Sequence, residues 1–293
     1  MNISILLFSF LTFDYVRIPF TGVEALQKDN HFFENFETSK IFFRPIPNEN
    51  TIDKFILSTG YTPYFLDIYT VYLSFNFKKI AAAIFSFNAG KFEVTDKSGF
   101  KTGEVIYPNH LGMIIGIPFI PFKKFLNTEK GLSLKILYVK LKEFSSYAFA
   151  FDFSILKNFY FNMLPLKTSL DLRNIGIPTN SKASSLPYEI SFSLSTNFKN
   201  NFKSFKPSLG FSIEDNLISF RLSSLLELNR FISLAINFDS RRKETVESEG
   251  LHRVLTGFGV GVFLSVKNVS LFYSFLPSGL FQDLHKVDLQ ISF

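Results

Sequence analysis

The sequence predicts an all-β protein, a transmembrane antiparallel β-barrel of about 14 strands, and three observations predict it. Hydrophobic residues make up 46% of the 293, and Phe alone contributes 40. Even so, no uncharged apolar run reaches the roughly 18 residues that a spanning helix needs. The apolar residues recur instead at every second position, the period of a strand whose side chains alternate between two faces. Finally, the links between the alternating segments sort by length, as they do in barrels with short turns at one end and long loops at the other. A closed barrel satisfies every backbone group inside lipid without massing its hydrophobicity in one stretch. A+T-rich coding would raise Phe, Lys, Ile and Asn together, but coding bias cannot impose a period of two.

At the front, Ile3 to Phe13 is an apolar stretch of 11 residues, too short to span and the size of a signal-peptide core. Cleavage is expected near Leu11 to Phe13 or after Ala25. Residues 14–54 then precede the first strand, with the barrel interior as the space open to them. Strands are expected near 55–61, 70–77, 80–96, 111–120, 131–141, 147–156, 166–175, 188–198, 205–213, 217–228, 231–239, 257–266, 269–276 and 286–293. They form one domain, 55–293, because no Pro/Gly/Ser-rich linker divides them. Their even number suits a barrel with both ends on one side. Ile232, Leu234, Ile236 and Phe238 oppose Ser233, Ala235, Asn237 and Asp239, and Ile190, Phe192 and Leu194 oppose Ser191, Ser193 and Ser195. The tight links Lys78-Lys79, Asn229-Arg230 and Lys267-Asn268 share one side. The longer links 97–110, 176–187, 240–254 and 277–285 share the other, with 121–130 and 157–165 as exceptions.

Ionisable residues on the polar face of these strands are the candidate lumen-lining groups: Asp152, Arg173, Arg221 and Asp239. An Arg turned to lipid at mid-bilayer would cost about 2–4 kcal/mol, so an inward orientation is expected. Such groups either brace the barrel through ion pairs or line a solute path. The charge of +6, from 31 basic and 25 acidic residues, is scattered, and no basic stripe is interleaved with aromatics. Nucleic acid is therefore not an expected partner. Cys is absent, which excludes disulfides and thiolate metal sites.

The four histidines, His31, His110, His252 and His285, show no metal-ligand spacing. His110 and His252 are expected in solvated external loops, as is the charge run from Arg241 to Glu249. Ser is abundant, but abundance does not make a Ser/His catalytic pair. No catalytic residue, metal or cofactor is assigned, and the chain is read as a non-enzyme.

Several stretches resemble a known group. The run Gly257 to Phe263 is followed by Val269-Ser270-Leu271-Phe272-Tyr273-Ser274-Phe275-Leu276-Pro277-Ser278-Gly279-Leu280 and by Leu284-His285-Lys286. This order resembles the closing strands of FadL-like outer-membrane barrels, particularly the PorV-like branch, with Leu284 in place of the usual Thr. Asp14-Tyr15-Val16-Arg17-Ile18-Pro19 is similar to the group's mature N-terminus. Ser169 to Gly176, with its Asn174-Ile175-Gly176 ending, is similar to its mid-barrel strand. The last strand alternates Val287, Leu289, Ile291 and Phe293, and resembles the C-terminal signal read by the barrel-insertion machinery. Residues 20–50 lack the Gly/Ala-rich segment and the Asn-Pro-Ala-Gly motif usual in the group.

The resemblance implies an outer-membrane location, a hatch folded inside the barrel from 14–54, and transport or binding of a hydrophobic, long-chain fatty-acid-like solute. Its PorV-like branch implies the alternative of a scaffold or shuttle for secreted proteins. A soluble exported β-protein is the remaining class.

Overall fold

Because each segment alternates so strictly, every strand can present one face to hydrocarbon and the other to an enclosed interior. The computed structural model describes residues 13, 15, 19–31, 38–44, 54–64, 67–77, 80–96, 98–118, 128–180, 185–200, 203–215, 217–241, 256–277 and 283–293. Its strands are β1 (Phe55–Pro63), β2 (Tyr69–Phe77), β3 (Ile80–Asn88), β4 (Phe92–Thr95), β5 (Lys101–Ile106), β6 (Asn109–Pro118), β7 (Thr128–Leu141), β8 (Phe144–Phe161), β9 (Leu164–Pro178), β10 (Glu189–Thr196), β11 (Phe198–Asn200), β12 (Lys203–Glu214), β13 (Leu217–Glu227), β14 (Ile232–Asp239), β15 (Phe258–Val266), β16 (Val269–Leu276) and β17 (Leu284–Ser292). Among the described residues, a short helix, α1 (Gly22–Gln27), and a 3-10 turn, Thr38–Phe42, precede them.

All neighbours in the wall are antiparallel, and the sheet closes on itself. β17 pairs with β1, setting Asp288 against Gly60, and β10 pairs with β12, setting Ser193 against Gly210. With β11 continuing β10, and β4 and β5 standing apart as a separate hairpin, the wall has 14 strands. Closure removes the free edges that lipid could not satisfy.

Outward positions such as Leu73, Phe75, Ile84, Leu134, Phe151 and Ile236 are exposed and apolar. Inward ones such as Ser74, Ser133, Asp152, Ser191, Ser193 and Asn237 are buried and polar. That polarity is the reverse of a soluble sandwich, whose buried face is greasy. Aromatic pairs gird both ends: Phe55 meets Phe77 and Phe293 at 6.3 and 5.8 Å, while Tyr61 meets Tyr69 and Tyr138 meets Tyr147 at 5.8 and 4.8 Å. The chain is a transmembrane barrel of the outer-membrane type.

Three sequence expectations change. The segment 80–96 is not one strand; it breaks after Asn88, and Phe92–Thr95 pairs with Lys101–Ile106 of the supposed loop 97–110. The link 157–165 is not long, because β8 and β9 run on together until Asn162 and Met163 turn the chain with φ of 45° and 68°. Two successive positive φ values are what a tight hairpin with right-handed strand twist requires. His110 is not in a loop: it is buried on β6 with its ring 4.9 Å from that of Tyr15 and 5.3 Å from that of Phe87. His252, the link 121–127, Lys78-Lys79 and residues 1–12 lie outside the described residues.

Candidate functional site in the lumen

The interior is occupied by the described part of the N-terminal segment. Helix α1 opens with a reciprocal cap: Glu24 N–H donates to Thr21 Oγ1 at 2.8 Å, and Phe20 N–H donates to the Glu24 carboxylate at 2.8 Å. A helix of six residues is too short to hold itself in water. What holds it is the wall. Val23 and Leu26 are buried among the barrel's interior side chains, and α1 lies against β13 to β17. Ala25, one of the two cleavage positions considered, falls inside this helix.

Charges on the segment meet opposite charges on the strands. Asp29 receives two hydrogen bonds from Arg221, Nε at 2.7 Å and Nη2 at 3.1 Å, a fork that fits a carboxylate in both distance and plane. Arg44 returns the pattern with reversed sign, reaching Asp171 with Nε at 3.3 Å and Nη2 at 3.1 Å. Lys28 pairs with Glu189 at 3.1 Å and Glu24 lies 3.6 Å from Arg173, which also bonds Glu189. The wall is recessed to admit Asp29, since a Cβ on Gly210 would come within 2.4 Å of that carboxylate. Gln27 and Asn30 add amide bonds to the backbone oxygens of Ser224 and Lys206, at 3.1 and 2.9 Å.

The four lumen-lining candidates divide. Arg173, Arg221 and Asp239 line a cavity of about 400 Å³ above α1, at the end of the barrel opposite its termini. Asp152 lies outside its lining. It pairs with Lys135 at 2.8 Å and accepts the Asn174 N–H at 2.8 Å, where β9 bulges and Asn174 takes φ of 57°. Lys135 Nζ also donates to Asn174 Oδ1 at 2.7 Å. Gly176 is required two residues on, because a Cβ there would sit 2.0 Å from the Phe149 carbonyl oxygen. Asp239 accepts the Arg241 N–H at 2.9 Å. Arg241, expected in a solvated loop, is instead partly buried, pairs with Glu214 and joins the cavity wall.

Sequence reasoning missed Glu24, Lys28, Asp29, His31 and Arg44, whose segment has no periodicity to orient it. Lys135, Asp171, Glu189 and Glu214 were legible in principle, since each falls in phase with the small polar residues of its own strand.

A Ser/His pair does form. Ser193 Oγ lies 2.8 Å from His31 Nε2, and His31 Nδ1 lies 2.6 Å from Arg44 Nη1. A guanidinium can only donate, so Nδ1 is the acceptor and the imidazole N–H is on Nε2. His31 in this state donates a hydrogen bond to Ser193 Oγ and has no free lone pair with which to act as its base. Among the described residues no group of acidic or His side chains is arranged to hold a metal ion.

Comparison with known proteins finds no matching family model and no matching curated protein. Solved structures do match. CdiB from Acinetobacter baumannii aligns over 82% of this chain at 8% identity and a TM-score of 0.42, and the chain spans 60% of that protein's length. A Pseudomonas aeruginosa FadL homologue aligns over 94% of this chain and 98% of its own, at 9% identity and 0.46. The P. putida toluene transporter TodX aligns over 87% and 90%, at 9% identity and 0.43. A FadL homologue, the group whose closing strands this chain resembles, is thus among the similar structures. A closed, even-stranded antiparallel barrel with a lipid-facing outer surface is the outer-membrane architecture, and the outer membrane is where this chain belongs.

Proposed function

We propose that the barrel admits a small amphipathic molecule to the cavity above α1 and passes it inward when the N-terminal segment, acting as a hatch, shifts. The reciprocal clamps Arg221–Asp29 and Arg44–Asp171 carry this reading. They hold the segment to β9 and β13 through ion pairs that can be exchanged, while Phe20, Val23, Leu26 and Phe42 of the same segment pack into an apolar cluster with Tyr72, Phe85 and Phe272 that anchors it. The cavity they leave is within the size range of single-molecule sites.

Its lining combines a charged arc, from Lys28 of the segment and Lys135 on β7 through β9 to β14, with Phe42, Tyr64, Leu276, Leu284 and Lys286 on the other side. A wholly apolar solute would leave the charged arc unsolvated. We therefore favour an amphiphile over the long-chain hydrophobe that the family resemblance implies. Reconstitution into liposomes tests the reading. The double variant Asp29→Ala, Arg44→Ala should raise solute-driven swelling several-fold over the parent, with both proteins showing the same heat-modifiable migration. Equal swelling of parent and variant for every small solute would remove the hatch.

A second reading is favoured by the β8–β9 hairpin, which on the side of the termini continues past the last β7–β8 pair, Thr128 against Lys157, to Phe161 against Leu164. Its tip carries Tyr160 and Met163 at 79% and 95% exposure. Such a tip suits a scaffold for secreted proteins. Loss of co-purifying secreted proteins in Tyr160→Ser, Met163→Ser, with swelling unchanged, would support that role.

A further inference from the structure

Charges along one side of the cavity are matched by opposite charges, with Glu189 shared between Lys28 and Arg173. Each cation of the charged arc has a carboxylate against it: Lys28 has Glu189 at 3.1 Å, Lys135 has Asp152 at 2.8 Å, Arg221 has Asp29 at 2.7 Å, and Arg173 and Arg241 bond Glu189 and Glu214. A bare anion entering this arc would have to break an existing ion pair and strand a buried carboxylate, the costly outcome in a low-dielectric interior. A bare cation would strand a guanidinium or ammonium in the same way. A head group carrying both charges can exchange partner for partner, its carboxylate replacing that of Glu189 on Arg173 while its ammonium takes up Glu189.

Arg173 lines the cavity, and its Nε is buried without a hydrogen bond, so its guanidinium is incompletely satisfied and can take a further acceptor once Glu189 is exchanged. Opposite this arc, Phe42, Tyr64, Leu276 and Leu284 form a largely apolar flank suited to a compact hydrophobic body, with Lys286 Nζ turned to Thr62 Oγ1 at 3.2 Å and lying 5.7 Å from the Tyr64 ring.

We propose that the cavity is a binding site for zwitterionic amphiphiles, small molecules with an ammonium and a carboxylate at one end and an aromatic or branched apolar group at the other. The assignment rests on the passage reading above and narrows it to a solute class.

Four probes of matched size separate the terms. L-phenylalanine carries both charges and the apolar body. 3-Phenylpropionate lacks the ammonium, phenethylamine lacks the carboxylate, and glycine lacks the body. Titration calorimetry on the full chain in detergent should show L-phenylalanine binding at least tenfold more tightly than each of the other three. Equal or tighter binding of 3-phenylpropionate or phenethylamine, or no binding of any probe, overturns the assignment.

Glu189→Gln removes one acid from the charged arc and should invert the preference towards 3-phenylpropionate. A variant that merely folded poorly would weaken all four probes together, and heat-modifiable migration checks its folding. Liposome flux of the same probes separates this inference from the reading beneath it. Flux that favours 3-phenylpropionate leaves passage standing and overturns the zwitterion site, whereas binding without flux of any probe overturns passage and leaves the site.

Discussion

His31 is held between two fixed partners, and its protonation state decides whether both can remain. Burial, then Arg44, Lys167 and Lys40, hold the imidazole well below its ordinary pKa. Arg44 Nη1 donates to the lone pair on Nδ1, Ser193 Oγ accepts from Nε2–H, and Asp171 on β9 binds the far side of Arg44. If the segment leaves the wall as proposed, protonation is easier in the released state. The released state binds the extra proton, and the latched state loses stability as pH falls below about 6.5, the ordinary His value. Channel conductance in planar bilayers should rise on acidification from pH 7 to 5. In His31→Gln, whose amide can accept from Arg44 and donate to Ser193, that rise should largely disappear. A parent conductance flat over this range would contradict the assignment. Gly210→Ala tests the same contact from the wall, because its Cβ has no room beside the Asp29 carboxylate. It should raise neutral-pH conductance several-fold while the barrel stays heat-modifiable.

Strand details follow from single backbone properties. β10 and β11 are one wall element with a one-residue lapse: Ser195 faces Ser208 and Phe198 faces Phe205 in the same register, with Pro207 between them. Proline has no N–H to give the ladder, so the pairing opens beside it. The β8–β9 bulge has a different cause, Asn174 at positive φ with its N–H held by Asp152. Bulges of this kind bend a strand and re-aim its side chains. Here Arg173 and Asn174 are both buried, against the alternation, and both reach the cavity wall. Asn174→Val places a β-branched residue in left-handed backbone and removes the acceptor for Lys135. It should cost about 1–3 kcal/mol, read as a lower urea midpoint for loss of the heat-modifiable form, while Asn174→Gly should recover most of the backbone part.

At the scale of the whole molecule, stability depends on two solvents kept apart by one wall. Ile236 faces lipid and Asn237 faces the lumen on adjacent positions of β14. Ile236→Arg should destabilise the folded barrel by about 2–4 kcal/mol in lipid, and Asn237→Arg should cost clearly less because its polar head stays in the interior. Similar urea midpoints for the two variants would mean that the outer face does not meet hydrocarbon. Phe293 belongs to this scale too. Its N–H donates to the Phe55 carbonyl at 2.8 Å and its ring joins the lower girdle, so the last residue closes the first strand onto the last.

All 14 wall strands were legible in the sequence because period two is a local property, imposed wherever one side of a strand meets lipid and the other does not. The inward phase of Asp152, Arg173, Arg221 and Asp239 followed from the same rule. Local pattern cannot reveal partners distant in the chain. Arg221 and Asp29 are 192 residues apart and Arg44 and Asp171 are 127 apart, and only closure of the sheet brings them together. The sequence by itself determined which side of each strand is oily. The tertiary structure alone decided where the N-terminal segment goes, which charges it answers, and what shape of space remains, because those depend on contacts across a lumen that exists only once the barrel has closed.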